Sequence, residues 1–194
     1  MLPRAEIAHW LFGAGFLFFG LVILSEAIVG PEVFRRRLWR ACLSPSLALL
    51  AGVWLWVIAI FSTFSTLHLI AHSMWAQAAT AAGAVQLAVV LGRLRSPYWS
   101  LVTSGVLFVS GAAFLVHEQN GWLFARSAFL HHLIGWTLIV ASLLPLGEAL
   151  RPRRPVWTVG LAATWIAIAV MLFSDRDVAP IFGHLSDLAG GGLP

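Results

Sequence analysis

Histidine is the residue type whose number and spacing in this sequence point most clearly to chemistry. Seven histidines occur among 194 residues, and two of them, His68 and His72, lie four positions apart. On an α-helix, residues at i and i+4 project from the same face, so both imidazoles can reach a common ion. Neutral imidazole is the commonest side-chain ligand for metals in proteins. The spacing therefore predicts a metal site on this helix.

Two further segments supply candidate ligands. His117 and Glu118 are adjacent, so the carboxylate could bind the same ion or orient the imidazole through a hydrogen bond. His131 and His132 are also adjacent, and because consecutive helical residues differ by about 100° in direction, we expect only one to face inward. The complete set of predicted metal ligands is His68, His72, His117, His131, His132 and Glu118.

The composition of the chain shows which kind of element carries these side chains. Of the residues, 60% are hydrophobic and 10% are charged, and the mean hydropathy is +0.88. Soluble domains carry about 25% charged residues, so a soluble globule is excluded. A helix of about 20 residues crosses a bilayer, and apolar segments of that kind lie at 7–29, 43–61, 67–91, 98–117, 128–150 and 156–173. We therefore expect an all-α fold, a polytopic membrane helical bundle of about six transmembrane helices, forming a single integral membrane domain over residues 1–194.

The basic residues predict how this bundle is oriented. All twelve are arginines, and most lie in three of the segments between the apolar stretches: Arg35, Arg36, Arg37 and Arg40, then Arg93 and Arg95, then Arg151, Arg153 and Arg154. Loops of this kind face the cytoplasm, so both termini are expected outside. The predicted location is the cytoplasmic (inner) membrane of a bacterium, crossed several times. Since the same rule explains the basic charge, no nucleic-acid partner is expected.

On this topology all seven histidines fall at the outer ends of helices. They are His9, His68, His72, His117, His131, His132 and His184. Polar side chains avoid the bilayer centre in any case, so the informative part of the pattern is the shared side. For His9 and His184 a position at the membrane surface is the simpler interpretation.

The segment around the histidine pair resembles a known group of proteins. Residues 67–72, Leu-His-Leu-Ile-Ala-His, followed by Trp75, resemble the helix-borne histidine patterns of bacterial copper-handling membrane proteins. Two such groups are the copper-resistance D type and the cytochrome c oxidase assembly type with an HxxxH helix. The likeness implies copper binding for delivery, uptake or oxidase assembly rather than catalysis. It also implies the lipid bilayer, with another membrane protein or a respiratory complex, as partners.

Copper is the leading hypothesis for the bound metal. His68, His72, His117 and one of the adjacent pair at 131 and 132 would hold it near the outer surface. Copper(I) transport pathways favour soft sulfur ligands, yet the sequence has only three methionines and one cysteine. Copper(II), or a fixed site, is therefore expected rather than a conduction path.

Three other functions stay open on the sequence alone. Residues 131–136, His-His-Leu-Ile-Gly-Trp, resemble the His-x-x-Gly-Trp helix openings of cytochrome b561-type proteins, which implies haem b and electron transfer, with His72 and His132 as one axial pair. A zinc hydrolase would need three histidines, with Glu118 or an aspartate as base, and Ser65 nearby. The last is a metal-free subunit of a membrane complex.

Overall fold

The computed structural model describes residues 4–61, 66–116, 125–151 and 154–174, and every regular element in these ranges is a helix. The α-helices are α1 Arg4–Val29, α2 Pro31–Phe34, α3 Leu38–Ala41, α4 Leu43–Phe61, α5 Thr66–Val90, α6 Ser100–Val116, α7 Ala125–Ala141, α8 Leu143–Leu150 and α9 Pro155–Ser174, and a 3₁₀ turn covers Pro97–Trp99. The prediction of an all-α fold is confirmed for these ranges.

Five helical segments are long and apolar enough to cross a membrane. They are His9–Val29, Leu43–Ile60, Pro97–Val116, Ala128–Leu150 and Pro155–Ser174. Helix α5 has 25 residues, and so has the length to cross, but Gln77, Gln86 and His72 make it less apolar than the other five. The helices fit a multi-pass membrane protein.

Three antiparallel helix pairs form the bundle: α1 with α9, α4 with α5, and α6 with α7. The largest buried cluster lies where α6, α7 and α9 meet, and consists of Leu107, Ile134, Leu138, Ala141, Ile168 and Leu172. A smaller cluster joins α5 to α6 through Ala71, Trp75 and Ala113. Phe114 of α6 packs against both clusters, so α6 contacts both α5 and α7.

Small residues set the register between α4 and α5. Gly52 faces the backbone of Thr80, where an added Cβ would lie 3.0 Å from the amide nitrogen, and Gly83 faces Leu49 at 2.9 Å. Close backbone contact of this kind is how helices pack in lipid, where burial of apolar side chains gives no advantage over the lipid tails. The two contacts lie about one turn apart on α4, at Leu49 and Gly52, and α4 and α5 share the most extensive contact of any two helices in the described ranges.

The apolar segment 128–150 is divided into two helices, whereas the sequence predicts one. Helix α7 ends at Ala141 and α8 begins at Leu143. Pro145 lies in the first turn of α8, where its missing N–H needs no partner, whereas in a continuous helix its ring would clash with the carbonyl of Ala141. The Ser104 hydroxyl of α6 donates to the Ser142 carbonyl at 2.6 Å, so the break is satisfied by a neighbouring helix.

The arginine-rich segment between α1 and α4 is predicted as a loop but contains the two one-turn helices α2 and α3. Gly30, with φ +89°, separates α1 from α2. The Arg35 Nε donates to Glu26 Oε1 at 2.7 Å, and this ion pair ties the segment back to the end of α1. The arginines of this segment are therefore held at the end of the bundle opposite His9.

Candidate metal centre

The adjacent histidines of α7 face different directions. His131 is buried, with 6% of its surface exposed, and lies one turn before the buried Ile134. His132 is exposed, and its Nδ1 lies 2.8 Å from the carbonyl oxygen of Ala128. This agrees with the expectation that only one of the two faces the bundle, and it identifies that one as His131.

The ring of His131 lies against the ring of His9. Their centroids are 5.7 Å apart and the ring planes are inclined at 68°. A metal ion lies about 2 Å from each imidazole nitrogen that binds it and about 3 Å from each ring centre, so two rings on one ion are about 5 to 6 Å apart. The separation of His9 and His131 therefore fits a pair of imidazoles on one ion. These two side chains come from different helices, α1 and α7.

The ring of His131 also stacks on an aromatic pair that leads to His72. The centroids of His131 and Phe114 are 5.5 Å apart with the planes inclined at 22°, and Phe114 lies 4.4 Å from Trp75. The Trp75 ring is 5.5 Å from that of His72. The Trp75 indole is fixed by donating to the Ser110 carbonyl at 3.3 Å.

Three histidines from three helices thus lie at one end of the bundle. His9 and His131 are in contact, and His72 contacts Trp75, which packs against Phe114 and through it reaches His131. This agrees with the prediction that the starts of the first, third and fifth apolar segments lie on the same side. This shared position at one end of the bundle does not place His72 and His131 on a common ion.

The remaining predicted ligands cannot be placed around this cluster. His68 lies in the first turn of α5, but its side chain is outside the described part of the chain, and His117 and Glu118 lie outside the described residues altogether. Among the side chains that are described, no group of three or more histidines, cysteines or carboxylates is arranged to hold a metal. The described part of the candidate site is a two-imidazole pair.

His9 is the member of this pair that the sequence did not identify. His9 lies at the outer end of the first apolar segment, as His131 does in the fifth. This shared position was the one sign in the sequence that the two residues could meet. A lone histidine shows no i, i+4 partner, however, and only the packing of α1 near α7, both of which contact α9, reveals that the rings meet.

The pair could bind a metal ion and still exchange it. Two imidazoles leave coordination positions open, whereas structural metal sites are closed by four protein ligands. His9 is half-buried and His131 is buried, so the pair lies inside the helix bundle and not on its lipid-facing surface. Cys42 and Glu26 lie near the opposite end of the bundle, where Glu26 is paired with Arg35.

Comparisons of the chain with protein-family models, with curated proteins and with solved structures found no match, so the side chains themselves carry the functional argument.

Proposed function

We propose that this protein binds copper at the outer face of a bacterial inner membrane and hands it on, in delivery, uptake or oxidase assembly. The observation that carries the proposal is the contact of His9 with His131, at a separation that fits two imidazoles on one ion. Imidazole suits copper, and a site with open positions suits an ion that is transferred. His68 and His72, at i and i+4 on α5, form a second candidate pair at the same end of the bundle.

The proposed topology has six crossings with both termini outside. Helix α5 supplies the sixth crossing in this topology, because it packs antiparallel to α4 over the most extensive helix contact of the described ranges and α4 is one of the five apolar helices. Its 25 residues span about 37 Å at 1.5 Å per residue, more than the hydrocarbon core of about 30 Å. The arginine-rich ends then face the cytoplasm and the histidine-bearing ends face outward.

Copper binding is tested on the purified protein and on two single variants, His9→Ala and His131→Ala. We expect the unchanged protein to bind copper in titration against a competing chelator. Each variant should lose at least about 100-fold in affinity, because removing a direct ligand costs more than the 10 to 100-fold typical of residues that only orient one. The number of nitrogen superhyperfine lines in the Cu(II) electron paramagnetic resonance spectrum should fall when one imidazole is lost.

His132→Ala is the control, since it removes a neighbouring imidazole that is exposed and points away from the pair. Copper affinity should be the same as that of the unchanged protein. If all three variants bind copper equally well, the pair is not the site.

The metal content and absorption spectrum of the protein decide between copper and the other candidates. A Soret band would replace copper with haem b and electron transfer, and bound zinc without copper would favour the hydrolase. A protein that takes up no metal would point to a metal-free subunit of a membrane complex. Each of these results would overturn the copper proposal.

A further inference from the structure

A groove lies at the arginine-rich end of the bundle, far from the histidine pair. It is formed where the end of α1 meets α2, α3 and the start of α4, and it is lined by Ser25, Val29, Phe34, Trp39, Arg40 and Leu43. Its volume is about 280 Å³, near the lower limit of small-molecule sites, which is roughly 300 Å³. The groove therefore has room for one small group and the beginning of a chain.

Within the described part of the chain, most of the arginines beside this groove form no ion pair. Arg35 is paired with Glu26, but within the described ranges no carboxylate forms an ion pair with Arg36, Arg37 or Arg40. Arg40 is half-buried in the wall of the groove, and its guanidinium lies over the ring of Trp39 at 5.3 Å from the centroid. The groove therefore has a positively charged mouth.

The rest of the groove wall is apolar. Val29, Phe34 and Leu43 supply it, and the Ser25 hydroxyl is already used, since it donates to the carbonyl of Val22 at 2.7 Å. A ligand that matches both the positively charged mouth and the apolar wall carries an anionic group at one end and a hydrocarbon chain at the other. A guanidinium binds a phosphate through two parallel hydrogen bonds.

We propose that this groove is a binding site for one anionic phospholipid of the bilayer leaflet on the arginine-rich side. Its phosphate lies at Arg40, with Arg36 and Arg37 nearby, and its first methylenes lie against Val29 and Leu43. The occupant is a membrane lipid rather than a soluble partner because exposed Trp39 and Leu38 on the one-turn helix α3 place the groove at the level of the headgroups. The proposal does not depend on metal binding.

The test counts lipids retained by the purified full-length protein in native mass spectrometry. The protein is exchanged into detergent with equal amounts of phosphatidylglycerol, which is anionic, and phosphatidylcholine, which is not. We expect one phosphatidylglycerol to be retained in preference to phosphatidylcholine. Arg40→Gln should reduce that preference about fivefold, the ratio that corresponds to one basic residue near an anionic surface.

Two further variants separate a specific site from general attraction. Arg93→Gln removes one exposed arginine from the same end of the bundle without touching the groove, and should leave the preference unchanged. Val29→Trp fills the groove without changing charge, and should reduce the preference as Arg40→Gln does. Added inorganic phosphate should not displace the lipid, since it cannot occupy the apolar wall.

Three results would overturn the proposal. The first is equal retention of the two lipids by the unchanged protein. The second is an equal loss with Arg93→Gln and Arg40→Gln, which would assign the effect to the surface potential. The third is displacement of the lipid by inorganic phosphate, which would make the site one for a free anion.

Discussion

Phe114 contacts two residues of the candidate site, His131 and Trp75. Its ring stacks on His131 at 5.5 Å and packs against Trp75 at 4.4 Å, so it restrains the imidazole that also contacts His9. A histidine of α7 that lost this neighbour could turn about its side-chain bonds. The ring of Phe114 therefore helps to position the pair.

We expect Phe114→Ala to weaken copper binding about tenfold, the lower end of the effect of residues that orient a ligand. The same change should reduce the free energy of unfolding by about 2 kcal/mol, less than the roughly 3 to 5 kcal/mol of a fully buried phenylalanine, because Phe114 is half-buried. Copper titration and thermal denaturation in detergent measure the two effects.

Phe108→Ala is the control for this variant. Phe108 lies on the same helix and is exposed on the face directed to lipid. Its removal should change neither copper affinity nor stability appreciably. An equal loss of copper affinity in both variants would show that Phe114 acts through the general stability of α6 and not through His131.

At the scale of elements, the crossing of α6 and α7 places His131 and Phe114 together. A Cβ added at Gly111 would lie 2.6 Å from the carbonyl oxygen of Gly135, and one added at Gly135 would lie 2.9 Å from that of Gly111. The two backbones are thus in direct contact. Phe114 is three residues after Gly111 and His131 is four before Gly135, so both rings lie about one turn from the crossing. Any shift of the helices at the crossing therefore moves the ring stack as well.

Gly111→Ala should separate α6 from α7, because the added methyl group would meet the backbone of α7, which cannot move aside as a flexible side chain could. We expect the free energy of unfolding to fall by about 1 to 3 kcal/mol, as for other overpacked sites, and copper affinity to fall with it. Gly105→Ala on the same helix is the comparison, since nothing lies within 4 Å of its added Cβ. If both glycine variants behave alike in denaturation and copper titration, the close crossing does not hold the site together.

The helices were largely predictable from the sequence, for a physical reason. Apolar runs bounded by arginine and proline have few alternatives in a bilayer, and the segment predicted at 43–61 agrees with α4 at Leu43–Phe61. The break at Ser142 was not predicted. The mean hydropathy of a segment does not depend on the position of a proline in it, whereas the continuity of a helix does.

The site was less predictable than the helices that carry it. Spacing within one helix indicated His68 and His72 as candidates. Because consecutive helical residues differ by about 100° in direction, the adjacent histidines of α7 were expected to face different directions. Which of His131 and His132 faces inward, and which distant side chain it meets, depends on how α1, α6 and α9 pack around α7. Such contacts are set by shape between helices, which a single sequence does not display.

For the whole molecule, the side of the membrane on which the histidines lie determines what the site can do. Copper delivered from outside requires His9 and His131 to open outward, and that orientation depends on the crossing of α5. If α5 did not cross, α6 would run through the membrane in the opposite direction, and His131 at the start of α7 would lie on the other side from His9, whose ring it contacts.

Single-cysteine variants on a Cys42→Ser background test this arrangement. Thr66→Cys marks the start of α5 at the histidine end, and Ser96→Cys marks the segment after α5 at the arginine end; both positions are exposed. A maleimide that cannot cross membranes should label Thr66→Cys in intact spheroplasts and Ser96→Cys only in inverted vesicles. Labelling of both positions from one side would show that α5 does not cross the membrane. A reversed pattern would place the histidine pair at the cytoplasmic face, where outer-surface copper handling is impossible.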